Sequence, residues 1–372
     1  MLIGVPKEIK QNENRVALTP GIALDLTQLG HDVLMEKTAG LSSGFSDSDY
    51  EAVNCRIVHS PKEIFDNVEM VVKVKEPQKE EIALCSSDLT MFTYFHFAAS
   101  EKLTKLFLET GATAIAYETI MAKDGSLPLL IPMSEVAGRM SVQEGAKFLE
   151  KVKGGRGILL GGVPGVEPAK VTILGGGIVG TNAALIAAGL GANVFILDVN
   201  LNRLRYLDEI MPKNVRTIYS NQFNIREHLK QTDLLIGAVL IPGAKAPKLV
   251  TRDMLKLMRP GSVIVDVAVD QGGCIETCKP TSHEEPIYVV DDIIHYCVTN
   301  MPGAVPYTST IALTNATNPY IQKLANDGIL NALQNDRSLL QGLNIMNGQV
   351  THKGVADAFG LKYTQPEKAL KN

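Results

Sequence analysis

The run Lys170-Val-Thr-Ile-Leu-Gly-Gly-Gly-Ile-Val-Gly180, followed by an apolar stretch and then by Asn193-Val-Phe-Ile-Leu-Asp198, constrains this chain more than any other feature. A short apolar strand ends at Leu174. Gly175, Gly177 and Gly180 then stand at the spacing of a strand-to-helix turn that wraps a diphosphate. Gly175 makes the tight turn, Gly177 lets backbone approach the pyrophosphate, and Gly180 lets the next helix pack closely on the strand. That helix, opening at Ile178 and Val179, faces the negative charge with its N-terminus. Asp198 can accept hydrogen bonds from both ribose hydroxyls of adenosine, whereas a 2′-phosphate there would meet like charge. NAD is therefore expected over NADP, although Arg203 and Arg205 follow and an arginine near this position can hold a 2′-phosphate. A glycine-rich turn without a ligand is the competing reading. It is weakened because strand, helix and carboxylate all fall where a dinucleotide fold needs them.

With 372 residues the chain is long enough for two domains of ordinary size. A net charge of -4 with signs mixed, and 5% aromatic residues, provides no basic block with interleaved aromatics, so small molecules rather than nucleic acid are the expected partners. No segment approaches the roughly 20 uninterrupted apolar residues of a membrane helix. The chain begins directly as a strand with no signal-peptide pattern, and a cytoplasmic protein is expected. Cys55, Cys85, Cys274, Cys278 and Cys297 lack paired Cys-x-x-Cys spacing and read as reduced, mostly buried thiols.

Two regimes of alternating strand and helix follow one another. In the first, strands are expected at residues 2–5, 31–37, 70–74, 89–94 and 112–117, with Thr19-Pro20 opening a helix. A long helix over 132–152 connects to the second regime, whose strands are expected at 194–197, 215–219, 234–236, 263–267 and 288–290. From about residue 309 to 334 the sequence turns helical, and it ends in a polar tail. The fold class is α/β, with two Rossmann-like domains, the second a doubly wound NAD-binding domain, separated by a cleft and joined by long helices. The expected division is 1–130 plus 306–372 for the substrate domain and 131–305 for the dinucleotide domain.

Candidate chemistry sits at strand ends. Arg15 lies in a loop before a helix, where its planar fork can hold a carboxylate, and where an arginine is also often plain solvated surface. Lys73 and Lys75 alternate in Val71-Val-Lys-Val-Lys75 and are expected on one face, Lys75 nearer the carboxyl edge where α/β sheets bind ligands and Lys73 more structural. His96 closes the strand Leu89–Phe95 and suits proton transfer near neutrality, though a histidine there is also commonly a packed core residue. Asp270 follows Val263-Ile-Val-Asp-Val-Ala-Val269 just before a glycine turn. Asp266 is the competing choice, and both could be loop caps.

Gly4-Val-Pro-Lys-Glu8, Asn14-Arg-Val-Ala17, Val72-Lys-Val-Lys-Glu-Pro77, Tyr94-Phe-His96, Pro132-Met-Ser134, Leu160-Gly-Gly-Val-Pro-Gly-Val166, Asp266-Val-Ala-Val-Asp-Gln-Gly-Gly273 and Asn300-Met-Pro-Gly-Ala-Val-Pro306 occur in this order. Together they resemble the bacterial L-alanine dehydrogenases over nearly the whole chain. The resemblance implies an NAD-dependent, reversible deamination of L-alanine to pyruvate and ammonia by a homohexamer. It assigns Arg15 and Lys75 to the substrate, and His96 and Asp270 to acid–base work. It places the cofactor against Ser134, Gly175, Gly177, Ile178, Val179, Gly180, Asp198, Arg203, Ser220, Val239, Leu240, Val267, Ala268, Val269, Asp270, Lys279, Val298, Thr299, Asn300 and Met301. Family members that bind a divalent metal do so through an acidic residue matching Glu118 and a histidine at a position where this chain has Asp327, so no metal is expected. Three other readings are a transhydrogenase nucleotide-binding subunit, a related dehydrogenase such as a saccharopine-forming one, and an NAD-sensing binding protein without catalysis.

Overall fold

The computed structural model describes residues 1–239, 246–269 and 272–371, and divides into two compact units, Met1–Met133 with Gly303–Asn372, and Ser134–Pro302. Short runs rich in Val, Ile and Leu, bounded by turn residues, form the strands. The first unit sets out β1 (Leu2–Val5), β2 (Asp32–Glu36), β3 (Arg56–Val58), β4 (Met70–Val72), β5 (Thr90–Thr93) and β6 (Thr113–Ala116). The second adds β7 (Lys170–Leu174), β8 (Asn193–Asp198), β9 (Val215–Tyr219), β10 (Leu234–Gly237), β11 (Val263–Asp266), β12 (Ile287–Val290) and β13 (Ile293–Tyr296). The chain then returns to the first unit with β14 (Leu343–Met346) and β15 (Gln349–Val350).

In the first sheet the order is β15-β14-β6-β5-β4-β1-β2-β3, with β1 to β6 all parallel. The chain winds outward from β1 through β2 and β3 on one side and from β4 through β6 on the other. The winding therefore reverses between β1 and β4, the kind of point where open α/β sheets bind ligands beyond the carboxyl ends of their strands. In the second sheet the order is β12-β13-β11-β10-β7-β8-β9, and the reversal falls between β7 and β10. Among the described residues, β12 alone runs antiparallel there, against β13.

Alternation sorts the first unit's apolar side chains onto two faces. Met70, Val72, Val5 and Phe92 join one core cluster. Val71, Met91 and Ala114, one position out of phase, join the other. Helices are capped as the sequence suggests: Thr19 accepts from the Ile22 N–H ahead of the helix Pro20–Gln28, and Ser100 accepts from the Leu103 N–H ahead of Glu101–Thr110.

Three expectations need correction. The helical stretch near the end is not continuous, because Gly328 at φ +77° separates Pro306–Asp327 from Ile329–Asn335. The tail is not merely polar: β14 and β15 add an antiparallel pair to the first sheet, with all four residues of β14 buried against β6. The first sheet also gains β3 and the second gains β13, two strands that fall in none of the expected ranges.

Candidate active site

Four consecutive strands of the first sheet, β6, β5, β4 and β1, deliver Glu118, His96, Lys75 and Glu8 within three residues of their carboxyl ends. Lys75 and Glu8 flank the β4/β1 reversal. Since β4 ends at Val72, the alternation expected to place Lys73 and Lys75 on one face does not extend to them. Lys73 is buried and ion-paired with Glu81 at 2.6 Å and Glu8 at 3.2 Å. Lys75 is half-buried, and its Nζ makes no hydrogen bond or ion pair among the described residues. Burial lowers its pKa, and the charges of Arg15 and Lys10 push in the same direction.

Arg15 is only 3% exposed, which removes the solvated-surface reading. Its Nε and Nη2 donate to the two carboxylate oxygens of Glu13 at 2.6 and 2.5 Å, and Nη1 donates to the Met133 sulfur at 2.9 Å. Burial on its own would raise the Glu13 carboxyl, but the Arg15 charge and its hydrogen bonds hold it down to about 2. A forked guanidinium fixed along one edge keeps its orientation, which a flexible surface arginine does not.

His96 lies beyond the end of β5, at Thr93, with left-handed backbone (φ 52°, ψ 38°). Such a conformation needs support in a residue with a Cβ. Glu118 supplies it: its Oε1 accepts the His96 N–H at 2.6 Å, and its Oε2 accepts the Phe95 N–H at 3.2 Å. The imidazole is exposed and stacks on Tyr94 with centroids 5.8 Å apart and planes within 4°, so it is not a packed core histidine. Tyr94 in turn donates its hydroxyl to the Leu129 carbonyl. Arg15 perturbs Lys75 and Tyr94 electrostatically, and Tyr94 stacks on His96, so the three first-unit candidates share one neighbourhood. Glu118 was named from sequence only as the match to a metal-binding acidic residue, not as the support of His96. Glu8, Glu13 and Tyr94 were not singled out from sequence. Their signals were present only as neighbours of chosen residues: Glu13 two positions before Arg15, Tyr94 two before His96.

In the second unit Gly175 takes φ +101°, and a Cβ there would meet the Ala238 carbonyl at 2.7 Å. A Cβ on Gly180 would meet the Gly175 carbonyl oxygen at 1.9 Å. Around Gly177 the space is open, and as N-cap of the helix Ile178–Gly189 it provides no side chain to satisfy the first N–H groups. An anion fits that position without displacing anything. Ile178 is exposed, Val179 half-buried. Asp198 Oδ2 accepts the Gly176 N–H at 2.7 Å and Oδ1 the Asn200 N–H at 2.8 Å, each oxygen retaining a lone pair for a ribose hydroxyl. Arg203 is turned inward, donating to the Gly176 carbonyl at 2.6 Å and the Thr181 hydroxyl at 2.7 Å. The residues present therefore fit a dinucleotide with free ribose hydroxyls.

Ser220, Val239 and Val267 sit just past β9, β10 and β11, at the same carboxyl edge as Gly175 and Asp198. The Ser220 N–H donates to the Asp198 carbonyl at 2.9 Å, and the Val267 N–H to Gly237 at 3.0 Å. Ala268 and Val269 are buried; Leu240 and Asp270 lie outside the described residues. Asp266 is the loop cap: its carboxylate accepts the N–H groups of Ala268, Cys274 and Ile275 at 3.0, 3.1 and 3.3 Å, closing the segment that carries Asp270. Val298 and Thr299 pair with Thr281 beyond β13, the Asn300 carbonyl lies 3.2 Å from His283 Nε2, and Met301 is buried. Ser134 lies in the first turn of the helix Ile131–Phe148. Lys279 packs its ammonium 4.8 Å from the Tyr288 ring on the edge strand β12, beside a cavity of about 410 Å³.

The family model described as the alanine dehydrogenase/PNT N-terminal domain matches residues 4–137, and that of the corresponding C-terminal domain matches 141–353. The chain belongs to the alanine dehydrogenase/PNT family. Within it, the chain is 56% identical over 365 residues to a Halomonas elongata protein named alanine dehydrogenase, covering 98% of both chains. A solved structure named L-alanine dehydrogenase superposes with TM-score 0.94 at 53% identity, over 97% of this chain and 99% of the other. The transhydrogenase of Sinorhizobium meliloti superposes with TM-score 0.81 over 95% of this chain and 99% of the other. At 24% identity that likeness speaks for the fold alone. Arg15, Lys75 and His96 fall in the alanine dehydrogenase/PNT N-terminal segment, and the glycine fingerprint in the C-terminal one.

Proposed function

We propose that this chain catalyses the NAD-dependent, reversible oxidative deamination of L-alanine to pyruvate and ammonia. The observation that carries the reading is Lys75, a half-buried ammonium at the β4/β1 reversal that makes no ion pair among the described residues, beside the Arg15–Glu13 pair. A half-buried cation without an ion-pair partner is suited to a small carboxylate. The full-length relatives named alanine dehydrogenase support the choice of amino acid.

In this reading Arg15 and Lys75 hold the carboxylate of alanine, a positioning effect that can supply on the order of 7 kcal/mol of the barrier. NAD, held by the Gly175–Gly180 turn and Asp198, supplies when bound the acceptor for the hydride from Cα. His96 and Asp270 serve the remaining proton transfers. One takes a proton from the water that adds to the imine carbon, and a protonated group is then needed to release ammonia from the carbinolamine. Each such group typically contributes about 10²- to 10⁴-fold. A homohexamer in the cytoplasm belongs to the same reading.

The test mixes the protein with L-alanine and either NAD or NADP, follows absorbance at 340 nm, and repeats the assay in reverse with pyruvate and ammonia. Turnover is expected with NAD in both directions. Asp270→Asn is expected to keep NAD binding while losing most turnover. Absence of any alanine-dependent signal would leave an NAD-binding protein without this chemistry.

A further inference from the structure

Lys73 has no part in the chemistry above, yet it is 1% exposed and flanked by two carboxylates. Each of those carboxylates turns its other oxygen to backbone at one end of the same loop. Glu8 Oε1 accepts the Val74 N–H at 2.7 Å and the Lys75 N–H at 3.3 Å. Glu81 Oε2 accepts the Gln78 N–H at 2.7 Å. Between these ends, the Thr93 hydroxyl donates to the Lys75 carbonyl at 3.0 Å, the Gln78 side chain donates to the Glu76 carbonyl at 3.0 Å, and Lys10 pairs with the Glu76 carboxylate. The backbone around Lys75 is thus tied at both its N–H and its C=O, while Lys75 Nζ is left without a hydrogen bond among the described residues.

We propose that Glu8, Lys73 and Glu81 act as a positioning unit for Lys75, one buried ammonium holding two carboxylates that fix the two ends of the loop presenting it to the substrate carboxylate. The inference rests on the reading of Lys75 as a substrate-binding residue. Two carboxylates buried this deeply would be repelled from the site without a shared cation, and burial raises the Glu8 carboxyl while the Lys73 charge opposes that rise. The Lys73 ammonium thus offsets part of the cost of burying Glu8, the carboxyl whose Oε1 accepts the two N–H groups. A small misplacement of a binding group is enough to matter, since a shift near 1 Å can cost about 100-fold.

The test uses the full chain with Glu8→Ala, Glu8→Gln and Lys75→Ala, measuring KM for L-alanine, KM for NAD, thermal unfolding and amide hydrogen exchange across residues 73–78. Glu8→Ala is expected to raise KM for alanine about tenfold or more, to speed exchange at Val74 and Lys75, and to leave KM for NAD unchanged. Glu8→Gln, which still presents a carbonyl oxygen to both N–H groups, is expected to recover most of the loss. Should Glu8→Ala not fold, Glu8→Asp keeps the charge balance with Lys73 while withdrawing the oxygen by one methylene, and the same split between the two KM values is expected. Lowered thermal stability with an unchanged KM for alanine would overturn the proposal, marking the three residues as structural only. Lys75→Ala separates the two levels: near-normal kcat/KM in that variant overturns the substrate role of Lys75 and the positioning unit with it. Loss in Lys75→Ala with no effect at Glu8 overturns the positioning unit alone.

Discussion

A guanidinium as deeply buried as that of Arg15 is held by its partner, and replacing the partner costs far more than replacing a surface charge. Glu13 provides both oxygens to that guanidinium, and its carboxyl stands at about 2 against an ordinary 4.5. The folded pKa is the lower one, so the stabilisation is fully present above about 4.5 and is lost as pH falls from there through about 2. The difference, 4.5 − 2, is about 2.5 units and corresponds to on the order of 3 kcal/mol. Glu13→Gln is expected to lose stability of that order at neutral pH and to show a flatter decline between pH 4.5 and 2, measured by urea unfolding at stepped pH. An unaltered acid limb in the variant would show that Glu13 titrates alike in both states. At this scale the sequence pointed to Arg15 and His96 but left each open between a site and a commonplace role. The deciding facts, the burial of Arg15 and the exposure of a left-handed His96 held by Glu118, depend on chain segments brought together from 22 or more residues apart, or on a loop closing on itself. No local pattern encodes them.

The strand-to-helix turn of β7 allows two glycines, three positions apart, to be told apart by what surrounds them. A methyl group at Gly180 would lie 1.9 Å from the Gly175 carbonyl oxygen, closer than any contact a Cβ makes, and backbone cannot yield as a flexible side chain can. At Gly177 nothing lies within 4 Å, so the methyl group costs the fold little and instead occupies the space set aside for a diphosphate. Gly180→Ala is expected to lower the thermal midpoint by several degrees, an overpacking loss of about 1–3 kcal/mol. Gly177→Ala is expected to keep the wild-type midpoint and raise KM for NAD at least severalfold. If both variants unfold alike, Gly177 is a structural glycine and the diphosphate lies elsewhere. This turn was legible in sequence because its determinants lie within eleven residues and the constraint is on the backbone itself. The pair β14 and β15 was not legible: β14 is four residues, Leu343-Asn-Ile-Met346, joined to β6 more than 200 positions earlier, and nothing local distinguishes it from an apolar end to a helix.

For the whole molecule, binding and folding share one free energy: a ligand that binds only the folded chain stabilises it by RT ln(1 + [L]/Kd), about 2.7 kcal/mol at 100 times Kd. Two side chains at the expected adenosine-ribose position, Asp198 and Arg203, bear on which ligand does so. Asp198 keeps acceptor capacity for ribose hydroxyls and is a like charge to a 2′-phosphate, and the arginine that follows it, Arg203, already spends its Nε and Nη2 on the Gly176 carbonyl and the Thr181 hydroxyl. An arginine committed in this way has less to offer a phosphate than the sequence alone allowed, which strengthens the case for NAD. NAD is therefore expected to raise the unfolding midpoint in proportion to the logarithm of its concentration, and NADP at equal concentration to raise it little. Hydrogen exchange should slow around Leu174–Gly180 and Asp198 with NAD present. Asp198→Ala is expected to narrow the gap between the two cofactors, because it removes the acceptor for one and the repulsion toward the other. Equal stabilisation of the wild type by both nucleotides would mean that Arg203 releases the glycine turn for the 2′-phosphate at little cost, and that Asp198 does not select.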